Sequence, residues 1–565
     1  MDSTKLDTLT QDLRAGRISR RTFLRAAIGL GVSMPAAAGL LQACAPSPAA
    51  EPTSPPAASP ASTAAPTTAP TEAPSGGKLV VGLGAAPRGV DPFYVASSYD
   101  FALMANVFDS LFDLDYETLE LKPVLVEEWE QLDELTWAFK LKEGIQFHKG
   151  YGEVTSEDWA FWVNEVVQNQ MVPYFILGNG LLQEVVPTGK YTFEAHLAEP
   201  WAPFALQVLV GYGGVVLSKK AYEEMGPEKF AQNPVGAGPF ELESWTPGGE
   251  VVMKKFEDYH MEGYPLLDEL VWQGIEDVVV RMEKIKKGEI DWATELDKKY
   301  LPELQDDPNL QVLSAPAWNW DYITFNLDLP DRPWLDKRVR QAVSYAVDRQ
   351  AVVDTIYYGG ATPEDDSLPP GYLGDDPEPK FYPNTADLDK ARALLEEAGY
   401  ADGFTMPCLT SQKPNLRREL QLGAEQLRQV GINVEIEQTD AASFRNRWDN
   451  SEFETFWEDA GMMSPDSDAA MYWWYHTSPP EMINNGNDGY SNAEVDKLLD
   501  DARTLSDPEE RAAMYRQAVE IIAEDSPKVI ICNVNQEYIL RADVTGFYPS
   551  PRPTEPMFRT VGRSS

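Results

Sequence analysis

The stretch RRELQLGAEQLRQVGINVEIEQ, residues 417–438, contains a helical pattern followed directly by a strand pattern. Its first half repeats apolar residues with the spacing of an amphipathic helix, and Gly431 stands where that helix would end. In the second half Ile432, Val434 and Ile436 alternate with polar residues, as in a strand with one buried face. Because helix followed by strand is half of a β-α-β unit, the stretch predicts an α/β fold.

The same alternation is found elsewhere from Lys78 onward. DLDKARALLEEAG, residues 387–399, places its leucines on one helical face, with acids in the first turn and Gly399 as a C-terminal cap. Residues 508–524 predict another helix, and KVIICNV, residues 528–534, is a short apolar run typical of a buried strand. We therefore expect α/β structure throughout the body of the chain.

Length and charge limit the function. The chain has 565 residues, with 90 Asp plus Glu against 47 Lys plus Arg and a formal net charge of −43. Single cores stop growing near about 250–300 residues, so we expect more than one lobe. A carboxylate surplus repels phosphate backbones and anionic headgroups, which excludes nucleic acid and electrostatic membrane docking.

The N-terminal segment, residues 1–43, has the marks of an export signal, because arginines precede a mildly apolar run. SRRTFL, residues 19–24, resembles a twin-arginine signal. LQAC, residues 41–44, resembles a bacterial lipobox, which implies cleavage before Cys44 and acylation of that residue. A plain secreted protein with an incidental cysteine is the alternative.

Residues 44–77 are rich in proline, alanine and threonine and contain no aromatic or basic side chain. Such a composition cannot bury a core and favours extended conformations. We interpret the segment as a tether between a membrane anchor and the folded body, although a tail without a spacing role has the same composition.

The sequence gives little support for catalysis or a cofactor. It has no phosphate-binding G-x-x-x-x-G-K-[ST] motif and no G-x-S-x-G nucleophile elbow. Cys408 and Cys532 either pair or are buried separately as small apolar residues. The four histidines are far apart and show no metal-binding spacing: His148, His196, His260 and His476. We expect no metal site and no enzyme.

Four segments in a fixed order resemble one protein family: residues 90–150, NPVGAGPFELESW at 233–245, residues 321–353, and residues 387–404 with NDGYSNAEVDKLLDDA at 487–502. Together they resemble the extracellular solute-binding proteins, family 5, that serve ABC importers of dipeptides and oligopeptides. The resemblance implies a two-lobed, type II periplasmic-binding-protein-like fold with an extra subdomain inserted in the N-terminal lobe. It implies lobe I at 78–110, 235–322 and 528–565, the inserted subdomain at 111–234, and lobe II at 323–527.

The resemblance also implies where ligand binds. In the relatives the segment corresponding to WNWDYITFN, residues 318–326, crosses between the lobes and lines the pocket. Trp318, Trp320 and Tyr322 share one face of this predicted strand, and that face is either pocket lining or ordinary core. Residues 528–534 are expected to form a second crossing strand, so that the two crossings make a hinge. Three residues match the N-terminal loop that faces the cleft in the relatives: Ser97, Ser98 and Tyr99.

Relatives that take peptides hold the ligand α-ammonium with an acidic residue that follows a tryptophan. Trp457 and Asp459 are the nearest match here, although their spacing differs by one residue, so Glu458 or Asp466 are alternatives. A solvated surface acid is also compatible with a chain this acidic.

We expect an exported, lipid-anchored monomer on the outer face of the bacterial cytoplasmic membrane. It captures a peptide by hinge closure and delivers it to the membrane permease subunits of an ABC transporter. One alternative keeps the fold but binds an oligosaccharide, because tryptophan faces stack on sugar rings. An extracellular hydrolase is a further alternative.

Overall fold

The computed structural model describes residues 76–564 apart from 95–96, 117, 172, 174–175, 247, 377–379, 463, 465, 478–487 and 552–555. The predicted export signal, the lipidation residue Cys44 and nearly all of the predicted tether lie outside the described residues. The side chain of Ser98 lies outside them as well. None of the helices that are described is long and apolar enough to cross a membrane.

The strands of the described residues are, in chain order, β1 (Lys78–Leu83), β2 (Phe112–Leu114), β3 (Leu121–Pro123), β4 (Val126–Gln131), β5 (Thr136–Leu141), β6 (Leu182–Pro187), β7 (Thr192–Leu197), β8 (Phe240–Trp245), β9 (Val251–Lys255), β10 (Glu269–Gly274), β11 (Trp292–Thr294), β12 (Leu310–Ala315), β13 (Asn319–Phe325), β14 (Ala361–Pro363), β15 (Phe404–Thr410), β16 (Ile432–Gln438), β17 (Thr455–Gly461), β18 (Lys528–Val534), β19 (Gln536–Arg541), β20 (Val544–Thr545) and β21 (Gly562–Arg563).

The α-helices of the same residues are α1 (Ser98–Val107), α2 (Ser156–Asn169), α3 (Phe204–Val208), α4 (Lys219–Met225), α5 (Pro227–Gln232), α6 (Val278–Lys287), α7 (Leu301–Gln305), α8 (Lys337–Ala346), α9 (Arg349–Ile356), α10 (Leu388–Glu397), α11 (Pro414–Arg428), α12 (Ala441–Asp449), α13 (Ser467–Tyr475), α14 (Ala493–Thr504) and α15 (Pro508–Asp525).

The predicted helices and strands form where expected, and capping and turn residues in the sequence explain where they begin and end. The predicted helices and strands at 387–438 and 508–534 are confirmed as α10, α11, β16, α15 and β18. Asp387 caps α10 by accepting a hydrogen bond from the Lys390 backbone N–H at 2.9 Å. Pro414 begins α11, where its missing N–H costs nothing. Gly431 adopts φ +89° between α11 and β16, a left-handed conformation that favours glycine.

Two mixed sheets form the body of the molecule. The first has seven strands in the order β12-β19-β11-β1-β10-β9-β8, with β1 parallel to both β10 and β11. The second has six strands in the order β14-β18-β13-β17-β15-β16, with β15 parallel to β16 and β17. Each sheet therefore carries its own part of the chain, as the expected α/β organisation requires.

A separate four-stranded antiparallel sheet, β4-β5-β7-β6, lies between β1 and β8 in the sequence. The helix α2 belongs to the same stretch of chain and buries Trp159 and Trp162. The chain thus leaves the seven-stranded sheet after β1 and returns to it at β8, the region where the inserted subdomain 111–234 is expected.

The chain passes between the two large sheets at residues 316–318, from β12 to β13, and at Asn535, from β18 to β19. These points differ from the expected lobe boundaries after 322 and before 528. The reason is strand pairing: β13 and β18 are hydrogen-bonded to each other from Asp321 with Cys532 to Thr324 with Lys528, so both remain wholly in the six-stranded sheet.

Candidate functional site

The two connections between the sheets lie side by side and are joined by one buried amide. Asn533 is fully buried, and its Nδ2 donates to the carbonyl oxygens of Ala317 at 2.5 Å and Asn319 at 2.7 Å. The backbone N–H of Val534 donates to Asn319 Oδ1 at 3.0 Å. Two adjacent crossings tied by such bonds have the form of a hinge, in which a few element-terminal residues absorb a change of angle.

One edge of the six-stranded sheet faces these crossings. Asn319, the first residue of β13, lies opposite Gly461, the last residue of β17, because the two strands are antiparallel. The parallel strand β15 ends at the same edge with Thr410. In open α/β sheets ligands bind outside the carboxyl ends of strands, so this edge is a candidate site.

The edge carries two carboxylates and a lysine. Lys413 Nζ lies 3.2 Å from Glu458 Oε1 and also forms an ion pair with Asp459. Glu458 Oε2 accepts the backbone N–H of Ser411 at 3.1 Å. The side chains of Lys413 and Asp459 are 53% and 39% exposed, whereas that of Glu458 is 5% exposed. A solute therefore has access to Asp459, and the buried carboxyl of Glu458 lies behind it.

The charges at this edge shift one another's proton affinities. Burial raises the pKa of Glu458, and the Lys413 ammonium opposes that rise. Burial acts to lower the pKa of Lys413, but the carboxylates of Asp459 and Glu458 outweigh it, so that this pKa is raised. Lys413 is thus held as a cation at neutral pH.

The structure separates the three acids considered for binding an ammonium and the tryptophan that precedes them in the sequence. Trp457 is fully buried, with its ring against Gly423 of α11. Asp466 is buried as well and caps α13, and its carboxylate receives two hydrogen bonds from Arg511, at 2.7 and 3.1 Å. That carboxylate is committed to a structural contact, whereas Asp459 and Glu458 meet at the sheet edge.

The three aromatic residues expected on one face of the crossing strand are all buried. Trp320 and Tyr322 are fully buried and pack with Trp474 of α13, at ring-centroid distances of 5.6 and 5.8 Å. Trp318 lies in the connection itself and contacts Tyr116 edge-on at 6.0 Å and Tyr372 at 5.9 Å. Trp320 and Tyr322 thus form core, and Trp318 reaches toward the N-terminal part of the chain.

A cavity of about 620 Å³ adjoins Trp318 through its neighbour Tyr116. Its volume is within the range of small-molecule pockets, roughly 300–1,000 Å³. Its walls come from α1, the segment after it, residues 210–215 and the C-terminal segment, and they include Phe101, Met104, Tyr116, Tyr212, Tyr548 and Arg559. An aromatic cavity beside the first crossing can take up an apolar side chain or a flat ring.

The residues matched to the N-terminal loop lie at the start of α1. Ser97 is its N-cap, and its hydroxyl accepts the backbone N–H of Asp100 at 3.3 Å. Ser98 is the first helical residue. The Tyr99 hydroxyl donates to Glu295 Oε2 at 2.9 Å, next to the carboxyl end of β11, and thus beside the corresponding edge of the seven-stranded sheet.

An ion pair joins the two parts of the chain close to this region. Arg418 in the first turns of α11 lies 3.0 Å from Asp297, which follows β11 of the other sheet. The pair shows that the edge bearing Lys413 lies near the seven-stranded sheet.

A buried acidic cluster lies under the same edge. The Tyr357 hydroxyl is within hydrogen-bonding distance of Asp321 Oδ2 and lies 2.8 Å from Glu419 Oε2. Burial raises the pKa of Asp321 well above its ordinary value, and the charge of Glu419 adds to the rise. Because the hydroxyl has one proton to donate, it can donate to one carboxyl only, and the contact with the other is a hydrogen bond when that carboxyl is protonated.

The donor atoms of Asp321, Glu419 and Cys532 lie within 4.8 Å of one another, a spacing that a metal ion could use. The Tyr357 hydroxyl contacts both carboxyls, so hydrogen bonding accounts for their approach without a metal. Cys408 and Cys532 are both buried and both free thiols, which favours separate burial over pairing.

Comparison with known proteins identifies the family. The model of the bacterial extracellular solute-binding proteins, family 5, matches residues 120–481. The chain belongs to this family. Among the relatives of this family 5 protein, the glutathione-binding protein GsiB of Shigella flexneri serotype 5b (strain 8401) is 28% identical over 495 residues, covering 84% of this chain and 92% of its own.

Two solved structures resemble this family 5 protein over most of their length. DppA, an ABC transporter-associated periplasmic binding protein from Helicobacter pylori in complex with the peptide STSA, has a TM-score of 0.74 and 25% identity and covers 87% of this chain and 99% of its own. The dipeptide binding protein from Pseudoalteromonas sp. SM9913 in complex with Met-Leu has a TM-score of 0.75 and 25% identity, with coverage of 86% and 100%. The two-lobed periplasmic-binding-protein fold is thereby confirmed.

The residues that sequence reasoning missed come from separate segments. Lys413 follows β15, Tyr357 follows α9 and Asn533 lies in β18, and each acquires its role only through strand pairing. The pattern that could have indicated Lys413 is its position directly after a predicted strand and before Pro414, at the edge where cleft residues collect.

Proposed function

We propose that this solute-binding protein captures peptides between its two lobes and delivers them to the permease of an ABC importer. Its relatives support the ligand class, because GsiB is named for glutathione, a peptide, and the two structures hold STSA and Met-Leu. The observation that carries the proposal is the accessible Asp459 carboxylate, backed by the buried Glu458, at the sheet edge that faces the two crossings.

The lobes in this proposal are divided at the crossings. Lobe I contains the seven-stranded sheet, with residues 111–234 inserted in it, and lobe II contains the six-stranded sheet from β13 to β18. Asn533 keeps the two connections together while the angle between the lobes changes.

Binding drives closure only through contacts that exist in the closed state, because a ligand with equal affinity for the open and closed states does not change the equilibrium between them. Micromolar capture requires about 8 kcal/mol. Asp459 contributes by receiving the ligand α-ammonium, since a charge-assisted hydrogen bond is roughly twice as strong as a neutral one. The receptor breaks no bond and needs no cofactor.

The protein works outside the cytoplasm, in line with its extracellular family. We propose that the N-terminal segment is a cleaved twin-arginine signal, that Cys44 carries the lipid anchor and that the proline-rich segment holds the monomer away from the membrane. Support comes from the SRRTFL and LQAC motifs and from the composition of residues 44–77.

Calorimetry with the Asp459→Asn variant tests the peptide proposal. The variant should bind Met-Leu about ten- to a hundredfold more weakly, the loss of one charge-assisted bond of about 1.5–3 kcal/mol, and should bind N-acetyl-Met-Leu as the wild type does. Asp389→Asn is the matched control, because the Asp389 side chain is 99% exposed on α10. Full affinity of Asp459→Asn for Met-Leu would remove Asp459 from the mechanism.

An oligosaccharide ligand is the second candidate, favoured by the aromatic walls of the cavity beside Trp318. Thermal shift distinguishes the two: stabilisation by cello- or xylo-oligomers, with none by a peptide library, would select the sugar.

A further inference from the structure

The acid pair of the sheet edge already holds an ammonium group that belongs to the protein. Lys413 Nζ lies 3.2 Å from Glu458 Oε1 and is also paired with Asp459. A lysine side chain and the N-terminus of a peptide present the same cation, with three N–H donors. The place proposed for the ligand ammonium is therefore occupied by the chain itself.

The charge balance at this edge favours a cation. Lys413 faces the exposed Asp459 carboxylate and the buried Glu458 carboxyl. Burial raises the pKa of Glu458 to about 7, so the two acids outweigh the lysine charge wherever Glu458 is ionised. Asp321 lies directly opposite Asp459 on the neighbouring strand, but burial raises the pKa of Asp321 well above its ordinary value, so it adds no negative charge to the edge. Arg418, a cation in the first turns of α11, is bound to Asp297.

The position of Lys413 allows its side chain to leave. The residue is the N-cap of α11, its side chain makes no capping hydrogen bond, and that side chain is 53% exposed. A lysine is a point charge on a flexible stem, whereas an arginine would hold carboxylates with a planar fork. Turning Lys413 into solvent thus breaks no helical hydrogen bond.

We propose that Lys413 is an internal counter-ion of Glu458 and Asp459 and that the ammonium of an incoming ligand displaces it. The inference rests on the proposed function, because it assumes an ammonium-bearing ligand at Asp459. Binding is then an exchange of one cation for another, and Lys413 determines affinity by competing with the ligand.

The exchange makes opposite predictions for two variants. Lys413→Met removes the competitor, so Met-Leu should bind about three- to tenfold more tightly than to the wild type. Lys413→Arg strengthens the competitor through bidentate pairing, so Met-Leu should bind more weakly. N-acetyl-Met-Leu, which lacks the ammonium, should bind all three proteins alike.

Calorimetry at low salt with the full chain measures these affinities, with Ser-Thr-Ser-Ala as a second probe. Lys390→Met removes the same charge from an exposed position of α10 and should behave as the wild type. Thermal unfolding of every variant verifies that it is folded, and Lys413→Arg retains the charge should Lys413→Met fail to fold.

The results separate the inference from the proposed function. Equal or weaker binding of Met-Leu by Lys413→Met, with the wild type still binding, would overturn the exchange alone. Absence of binding of both peptides to the wild type and to Lys413→Met would overturn the peptide proposal and the exchange together.

Discussion

The buried carboxyl of Asp366 makes the stability of the protein depend on pH. Asp366 is 5% exposed, and its Oδ1 accepts the backbone N–H of Leu368 at 2.9 Å. Burial raises its pKa from 3.8 to about 8, a rise that the Leu368 bond opposes and the charge of Glu364 increases. Asp366 lies six residues before Tyr372, whose ring contacts Trp318 in the connection between the two sheets.

The sign follows from the raised pKa. The folded state binds a proton at Asp366 more tightly than the unfolded state does. The stabilisation from this proton is therefore fully present below about pH 4, and the free energy of unfolding falls as the pH rises until Asp366 ionises in the folded state at about pH 8. One pKa unit corresponds to about 1.4 kcal/mol, so between pH 6 and pH 8 this group costs the wild type about 2 kcal/mol of unfolding free energy. Asp366→Asn keeps the acceptor for Leu368 and cannot ionise, so the stability of the variant relative to the wild type should increase by about 2 kcal/mol between pH 6 and pH 8.

Urea unfolding at pH 6, 7 and 8 measures the effect as a difference between profiles. Other buried acids titrate in the same range, and they cancel when variant and wild type are compared. Asp389→Asn removes an acid whose side chain is 99% exposed and should leave the profile parallel to that of the wild type. Parallel profiles for Asp366→Asn and the wild type would refute the reasoning, because they would show that Asp366 is already ionised at pH 6.

Three further predictions concern the hinge, the core and the thiols. Asn533→Asp sets a carboxylate against two carbonyl oxygens, so urea unfolding at pH 7 should show a loss of about 3 kcal/mol, and unchanged stability would contradict the bridging role. Gly423→Ala places a methyl group 2.1 Å from the Trp457 ring, so it should lower the free energy of unfolding by about 1–3 kcal/mol although alanine favours a helix; a variant as stable as the wild type would be inconsistent with this packing. Cys408 and Cys532 are buried thiols and should resist a thiol reagent in the folded protein and react in urea, whereas rapid modification of either of these two residues in the native protein would show it accessible.

The sequence predicted elements whose determinants are local. The pattern of residues 417–438 anticipated α11, the glycine turn and β16, because periodicity and a turn residue act within a few positions. It placed the start of α11 three residues too late, because it overlooked Pro414, which is favoured at the first helical position, and the buried Leu416, four residues before Leu420. The alternating pattern correctly predicted that Trp320 and Tyr322 share one face of β13. It could not predict whether that face lies against the core or lines a pocket.

The contacts of the candidate site were beyond local patterns. Lys413 meets Glu458 only because β15 and β17 are parallel neighbours, and Asn533 reaches the other connection only because β18 pairs with β13. Strand order of this kind is set by the packing of the whole lobe. Asp459 was found through the family resemblance, which carries the information of a shared fold that spacing alone does not.

The acidity of the chain explains why an internal lysine is useful at the binding site. A net charge of −43 draws cations of every kind toward the surface, so negative charge at the site would by itself favour salt ions as well as peptides. The Lys413 ammonium increases the free energy that any other cation must supply to bind, because that cation must first displace Lys413 from Glu458 and Asp459. A simple ion can compensate the lost Lys413 ion pairs only through its own charge, whereas a peptide also forms backbone hydrogen bonds and apolar contacts with both lobes. Selectivity in such a site comes from the cost of the exchange as much as from attraction to the acids.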